Sequence, residues 1–423
     1  MTAALAPAAP TPQPSSGRRF GWWRHRWARL GVLLAAGLVA LATVRILSGA
    51  RDLTSAGTVG AAVVLAVPIA MAALGGLWAE RAGVVNIGLE GMMIMGTFGA
   101  GWMGWQHGPW AGVLTGVLLG ALGGLVHAVA TVTFGVDHIV SGVAVNILGL
   151  GASQFLASLA FTGTPNGGET QSPRIRPIET VSLPGVSGPL QSLERQQWFL
   201  LSDVAGVLRG LLTGVSLLTL LAVALVVVTY LVLWWTPFGL RLRSCGEDPY
   251  AAESLGVRVQ LHKYVAVLVS GGLAGLGGAF LAIVASSTYR EGQTAGRGYI
   301  GLAAMIFGNW RPGGLVAGAG LFGYTDAVQL RNAEAVHALL LLLAVLLAAF
   351  AVRHAVRRRL VPALVAAGFA AGSLLLYLTT DTLPPQVTFM TPYVTTLLVL
   401  ALASQRLRMP KADGLVYRRG GER

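Results

Sequence analysis

Long apolar runs alternate with short polar breaks along this chain. The runs occupy residues 30–47, 57–79, 84–105, 110–133, 139–161, 211–235, 264–285, 315–330, 336–352 and 361–377, with shorter ones at 298–307 and 392–403. A helix needs about 20 apolar residues to cross the hydrocarbon of a bilayer, and most of these runs reach or approach that length. Inside a bilayer every backbone polar group must find its partner within the protein, which leaves helices as the natural spanning element. The pattern predicts an all-α polytopic membrane protein with about ten to twelve transmembrane helices. A transmembrane region over 30–405 lies between a basic N-terminal tail, 1–29, and a basic C-terminal tail, 406–423. Residues 1–16 are rich in Ala, Pro, Thr and Ser and read as disordered. The next stretch is basic and holds Trp22, Trp23 and Trp27, aromatics suited to a membrane interface. The run at 30–47 therefore reads as an uncleaved first span rather than a signal peptide. Arg45 stands near its outer end, where a long side chain can snorkel.

The polar breaks orient the spans. Residues 236–263 carry Arg241, Arg243, Arg258 and Lys263; a later turn carries Arg353, Arg357, Arg358 and Arg359; the C-terminal tail is basic too. Counted span by span these breaks fall on one side, which the positive-inside bias makes cytoplasmic, and both termini join them there. The longest polar connection, 162–210, then lies outside, as a docking place for an external protein or as a passive lid. Within 236–263 a short helix is expected. Glu247 and Asp248 suit its positive end, Pro249 its first turn, and Gly256 its stop. The short run 298–307 reads as a broken or re-entrant helix, and 336–377 as a helical hairpin with a basic turn.

Composition narrows the class. The chain is 54% hydrophobic and 11% charged, with mean hydropathy +0.67, whereas a soluble domain carries about a quarter charged residues. A net charge of +13 could suggest nucleic acid. The basic residues sit at the ends of apolar runs instead, so membrane lipid is the expected neighbour and nucleic acid is not. Cys245 is the only cysteine, which excludes an intrachain disulfide or a cysteine metal cluster. Lys263 and Lys411 are the only lysines, and neither ends a glycine-rich phosphate loop. No His-Glu-x-x-His zinc motif is present. The chain is thus expected to bind no cofactor and no metal of its own. Asp137 and His138 form a near-neighbour pair at a turn, better read as helix-capping groups than as metal ligands.

Polar groups inside apolar runs are the remaining candidates. Glu90, flanked by Gly88 and Gly91, is an ionisable group within the membrane and so a functional candidate, with helix packing as the competing role. Asn86 and Asn146 can contact a polar solute or bond to a neighbouring helix. Phe98 and Trp102 offer rings for stacking on a base.

Three stretches carry a family resemblance: ERAGVVNIGLEG from Glu80, FGLRLRSCGEDPYAAESLGV from Phe238, and GQTAGRGYIGLAAMIFGNWR from Gly292. The chain resembles the membrane permease subunits of nucleoside and simple-sugar ABC importers, within the larger group that also serves ribose and branched-chain amino acids. The resemblance covers residues 57–330 and resumes at 391–404. It implies a permease that moves small polar solutes inward by alternating access. ATP and Mg would be bound by a separate ATPase subunit, a second, homologous permease would pair with this chain, and an external lipoprotein of the basic membrane protein type would deliver solute. It also implies that the loop 236–263 couples to the ATPase through Arg241, Arg243, Gly246, Glu247, Asp248, Pro249, Tyr250, Ala251, Ala252 and Gly256. Tyr250 stands where the family pattern has a glutamate, and the hairpin 336–377 stands where the family has a short link.

Two other classes compete. An ion-coupled secondary transporter would use membrane carboxylates such as Glu90 and Asp326, but it has no need of a cytoplasmic helix. A membrane enzyme acting on lipid would need a convergent set of acid, base or metal ligands, for which Asp137 and His138 are too few.

Overall fold

The computed structural model describes residues 19–331, 333–392, 394, 395, 397, 407–418 and 420. Most of the expected last span at 392–403 and most of the N-terminal tail lie outside the described residues. Among the described residues the architecture is α-helical apart from two short strands. Helix α1 (Arg19–Ser48) leads through a 3₁₀ turn (Arg51–Thr54) into α2 (Ala56–Arg81), followed by α3 (Leu89–His107), α4 (Pro109–Ala128) and α5 (His138–Phe161). Next come strand β1 (Thr180–Val181), α6 (Ser187–Arg195), α7 (Leu201–Leu212), strand β2 (Val215–Ser216) and α8 (Leu217–Trp235). Then follow α9 (Pro237–Glu247), α10 (Pro249–Ser254), α11 (Val259–Phe280), α12 (Arg297–Phe307), α13 (Pro312–Arg331), α14 (Ala333–Val356), α15 (Leu360–Thr379) and α16 (Pro385–Phe389). Single π turns extend α4 to Thr133 and α11 to Ala285. Among the described residues, seven helical segments are long and apolar enough to cross a membrane by themselves. The chain is a polytopic α-helical membrane protein.

The core is α11 wrapped by α2, α3 and α4, and glycine makes it possible. A Cβ on Gly271 would stand 2.3 Å from Gly120 O, and one on Gly120 would stand 2.4 Å from Gly271 O. Gly275 meets Gly116 O at 2.3 Å in the same way, and Gly278 meets Met93 O at 2.1 Å. Without side chains at these positions the backbones touch, which is how helices gain dispersion contact in lipid. Around this seam Met71, Leu74, Leu77, Phe280 and Met305 are fully enclosed.

Three expectations need correction. The connection after α5 is not a bare loop: it holds α6, α7 and a two-stranded ladder pairing Thr180 with Ser216 and Val181 with Val215. The helix expected from residue 211 starts at Leu217, because residues 201–212 form α7. Arg45 does not snorkel. Its guanidinium is 5% exposed and pairs with Asp203 at 2.8 Å, donating also to Gln197 Oε1 at 2.6 Å. Asp203 accepts in addition from the Thr54 hydroxyl at 2.5 Å. A buried arginine requires such a partner set, and it pins α7 to α1.

Candidate functional site

Two places bring the candidate residues together. The first lies at mid-depth. Helix α2 ends at Arg81, whose guanidinium donates to Trp310 O at 2.6 Å beside the α12–α13 turn. Helix α12 has 11 residues, so it rises about 16 Å from that turn, half the hydrocarbon thickness. The chain reaches its start from the opposite end through residues 286–296, and Gly296, at φ +78°, makes the turn into it. Helix α3 also starts inside, because residues 82–88 climb from Arg81 without helical hydrogen bonding. A buried helix start leaves N–H groups unsatisfied unless side chains accept from them. Glu90 does so for α12, taking Gly296 N at 3.0 Å and Gly298 N at 2.6 Å. Asn146 does so for α3, accepting from Gly91 N at 2.7 Å and donating to Ile87 O at 3.0 Å. The other amide hydrogen of Asn146 goes to the Tyr299 hydroxyl, 2.9 Å away. Asn86 is fully buried, accepting from Gly88 N at 3.0 Å and donating to Ser270 Oγ at 2.9 Å.

The unwound segment is held from its other side by two histidines. His127 bonds Val85 O at 3.0 Å and Ser141 Oγ at 2.9 Å, and His138 Nδ1 accepts from Val85 N at 3.2 Å. Asp137 caps α5, accepting from Ile139 N and Val140 N.

The second place is the basic end. Thr236 caps α9, accepting from Gly239 N at 3.1 Å, and Pro237 occupies its first turn. Glu247 closes α9 rather than opening the next helix. Asp248 caps α10, its Oδ1 accepting from Ala251 N at 3.1 Å, with Pro249 in the first turn. Gly256 follows at φ +80°, the left-handed stop that glycine adopts without strain. Gly246 is buried, because a Cβ there would stand 2.4 Å from Arg81 O. Arg243 and Arg81 each lie 5.5 Å from the centre of the Trp234 ring. Cys245 is enclosed, and burial pushes its thiol up to about 11.

The family model described as the branched-chain amino acid transport system permease component matches residues 58–351. The chain belongs to this permease family. It is 32% identical to the guanosine ABC transporter permease protein NupQ of Bacillus subtilis over 370 residues, 86% of this chain and 96% of that protein. It is 33% identical to the nucleoside ABC transporter permease protein NupC of Lactococcus lactis over 363 residues, 84% of this chain and 94% of that one. A protein of Haloferax volcanii, provisionally named a glucose ABC transporter permease, is 34% identical over 290 residues, 67% of this chain and 80% of its own. No solved structure matches.

Set beside the expected sites, the permease sorts its residues differently. Of the five solute-path candidates, Asn86, Glu90 and Asn146 meet at the two helix starts. Phe98 does not: it is buried two turns further along α3, packed with Trp102, Phe161 and Tyr289. Only Trp102 of that pair is exposed. Glu80 and Arg81 do not pair with each other. Glu80 accepts from the Trp310 indole at 2.5 Å while Arg81 takes the same residue's carbonyl. On α10 the two alanines part company. Ala251 faces outward and Ala252 packs inward on Cys245, Val259 and Tyr417, because adjacent helical residues point about 100° apart. The ring of Tyr250 is turned inward, 5.3 Å from that of Tyr417. Arg241, Glu247 and Gly256 are exposed, whereas Pro249 is buried. Sequence reasoning missed Leu255, which is 85% exposed at the tip of α10. It also missed Tyr299, whose signal was its place in the first turn of the short α12. Asp326 is held by Arg297 at 2.7 Å.

Proposed function

We propose that this permease is the membrane subunit of an ABC importer for nucleosides or related small polar solutes, driven by ATP and Mg on a separate ATPase chain. The observation that carries the coupling half of this reading is the shape of α10. It is a six-residue helix, capped at both ends, that projects Ala251 and the bare Leu255 away from the bundle. An apolar knob beside a small residue fits a groove on a partner. Its face would be cytoplasmic, with both chain termini on that side, and the segment holding α6 and α7 outside, available to a solute-binding lipoprotein. A second permease is the expected neighbour. The Bacillus subtilis relatives include NupP, also named a guanosine permease, alongside NupQ. The solute path would run past the mid-depth site, where the exposed Tyr299 hydroxyl accepts from Asn146 and keeps its own hydrogen for an acceptor on the solute. The nucleoside assignment follows from the named relatives. The two membrane carboxylates are engaged within the chain, Glu90 by backbone N–H groups and Asp326 by Arg297, which disfavours an ion-coupled carrier.

The test is uptake of labelled nucleosides by cells carrying permease pair, ATPase and lipoprotein, comparing wild type with Ala251→Arg. The outward position accepts arginine without disturbing the fold. Expected are a normal amount of permease in the membrane, loss of ATPase on co-purification and uptake lowered by more than about tenfold. Undiminished uptake that collapses when ion gradients are dissipated would sink the reading.

A further inference from the structure

Residues 407–418 lie against the basic end. The backbone N–H of Arg408 donates to Asn309 Oδ1 at 2.7 Å, in the α12–α13 turn. The N–H of Ala412 donates to Gly246 O at 2.9 Å, at the end of α9. The carbonyl of Ala412 passes so close to Gly83 that a Cβ there would be 3.2 Å away, and Gly83 is at φ +81°. Asp413 is buried beside Glu80 at the end of α2. Tyr417, 8% exposed, packs on Cys245, Ala252 and Val259. Its ring lies 5.3 Å from Tyr250 and 5.8 Å from the ammonium of the enclosed Lys263 on α11, which also donates to Gly83 O at 3.4 Å. A dozen tail residues thus touch α2, the unwound segment, α9, α10, α11 and the α12–α13 turn.

We propose that residues 407–418 are the floor of the α10 cradle and that Tyr417 is a positioning residue, holding the inner face of α10 so that a push on its outer face reaches α2 and α12. The inference rests on α10 being the helix that meets the ATPase. A six-residue helix cannot keep its place by its own hydrogen bonds, since isolated helices of that length are unstable. Something must hold its inner side, and Ala252 is too small to do so alone. Tyr250 and Tyr417 supply the missing contact area. The tail reaches the turn at the far end of α12 from the start that Glu90 caps, so α12 itself links the cradle to the mid-depth site.

Cys245 supplies a readout that needs no transport, because it is enclosed in the cluster that Tyr417 completes. The experiment measures alkylation of Cys245 by N-ethylmaleimide in membranes, together with nucleoside uptake and ATPase co-purification. Four forms are compared: wild type, Tyr417→Ala, Tyr417→Phe and a chain lacking residues 407–423. Expected for Tyr417→Ala are labelling about tenfold faster and uptake about fivefold lower, with the ATPase still bound. Tyr417→Phe keeps the ring and should match wild type in both. Faster labelling with unchanged uptake would overturn the positioning role, and unchanged labelling in Tyr417→Ala would overturn the floor itself. If the shortened chain fails to accumulate, Tyr417→Ala decides the matter. Should wild type bind no ATPase, the coupling assignment fails, while protection of Cys245 by Tyr417 is still read.

Discussion

Gly120 and Gly372 are the same residue on apolar helices of equal length, and the chain uses them in opposite ways. Around Gly120 on α4, the backbone of α11 comes so close that any side chain would strike it. Around Gly372 on α15, nothing stands within 4 Å. The hydropathies of the two segments are nearly equal, 2.0 and 1.9, yet α15 is the less buried, 17% against 39%. Glycine on the α2–α3–α4–α11 seam is a packing device that fixes the distance between backbones. On the α14–α15 hairpin it lines an open apolar groove with Leu340, Leu364, Phe369 and Leu376. Hydropathy places a helix in the membrane but says nothing of which helices form the tight seam and which stand beside it.

The sharpest way to break this contrast is to fill the seam. Gly275→Leu sets a branched side chain against Gly116 O, at 2.3 Å from the first added carbon, and against Gly120 Cα at 2.9 Å. Backbone on both sides cannot yield, and overpacking of this kind costs more than a core with flexible neighbours. Expected is accumulation in the membrane below about a tenth of wild type, read by immunoblot. Normal accumulation would mean that the seam is looser than the close approaches imply.

The next largest effect lies where the seam meets the mid-depth site. Glu90→Ala leaves the Gly296 and Gly298 N–H groups without their acceptor, at about 1–3 kcal/mol each. Expected are a lower melting temperature for the purified protein and uptake reduced about tenfold. Glu90→Gln, which keeps one acceptor oxygen, should lie between. If Glu90→Gln abolished uptake while leaving stability intact, the charge itself would be at work and the capping account would fall.

A smaller effect concerns the tail beneath the cradle. Burial pushes the Asp413 carboxyl up to about 7 from an ordinary 3.8, opposed by a hydrogen bond with Glu80 and by the charges of Lys263 and Arg81. The docked tail therefore favours the protonated carboxyl. Its contribution to docking is full below pH 3.8, declines as pH rises, and is lost above about 7. Alkylation of Cys245 should then rise with pH more steeply below 7 than above it, beyond the ordinary growth of thiolate. Asp413→Asn should remove the steep part. Equal slopes in both proteins would show that Asp413 stays in one protonation state.

Much of this was legible beforehand, and the reason is physical. Bilayer thickness imposes a length on apolar runs, so the helices of the bundle announce themselves, as does the short helix after Asp248 through its cap, its proline and Gly256. What stayed hidden is long-range pairing. Nothing near Arg45 in the chain announces Asp203, 158 positions away, and nothing near Phe98 shows that it packs with Tyr289 instead of facing a path. The turn of Tyr250 toward the tail was equally invisible, since it depends on Tyr417 returning to the same cluster. Glu90 is the instructive case. Its chemistry marked it as important, but its role as a cap required knowing that α12 begins beside it.

The smallest expected effect tests the other half of the contrast. Gly372→Leu on α15 adds a side chain into open space, and leucine is the better helix former by almost 1 kcal/mol in water. In a lipid-facing groove the added carbons replace acyl-chain contacts with contacts to Leu340 and Leu376. Accumulation and uptake should both stay within about twofold of wild type. The outcome matters because the hairpin's outer side is as apolar as lipid, with Leu364, Val365, Phe369 and Leu375 exposed. Lipid would tolerate the change, since acyl chains rearrange around any apolar shape, whereas a protein helix seated in the groove would not. A loss of uptake of tenfold or more at normal accumulation would therefore make α15 part of an assembly contact, and the line between seam and periphery would have to be redrawn around it.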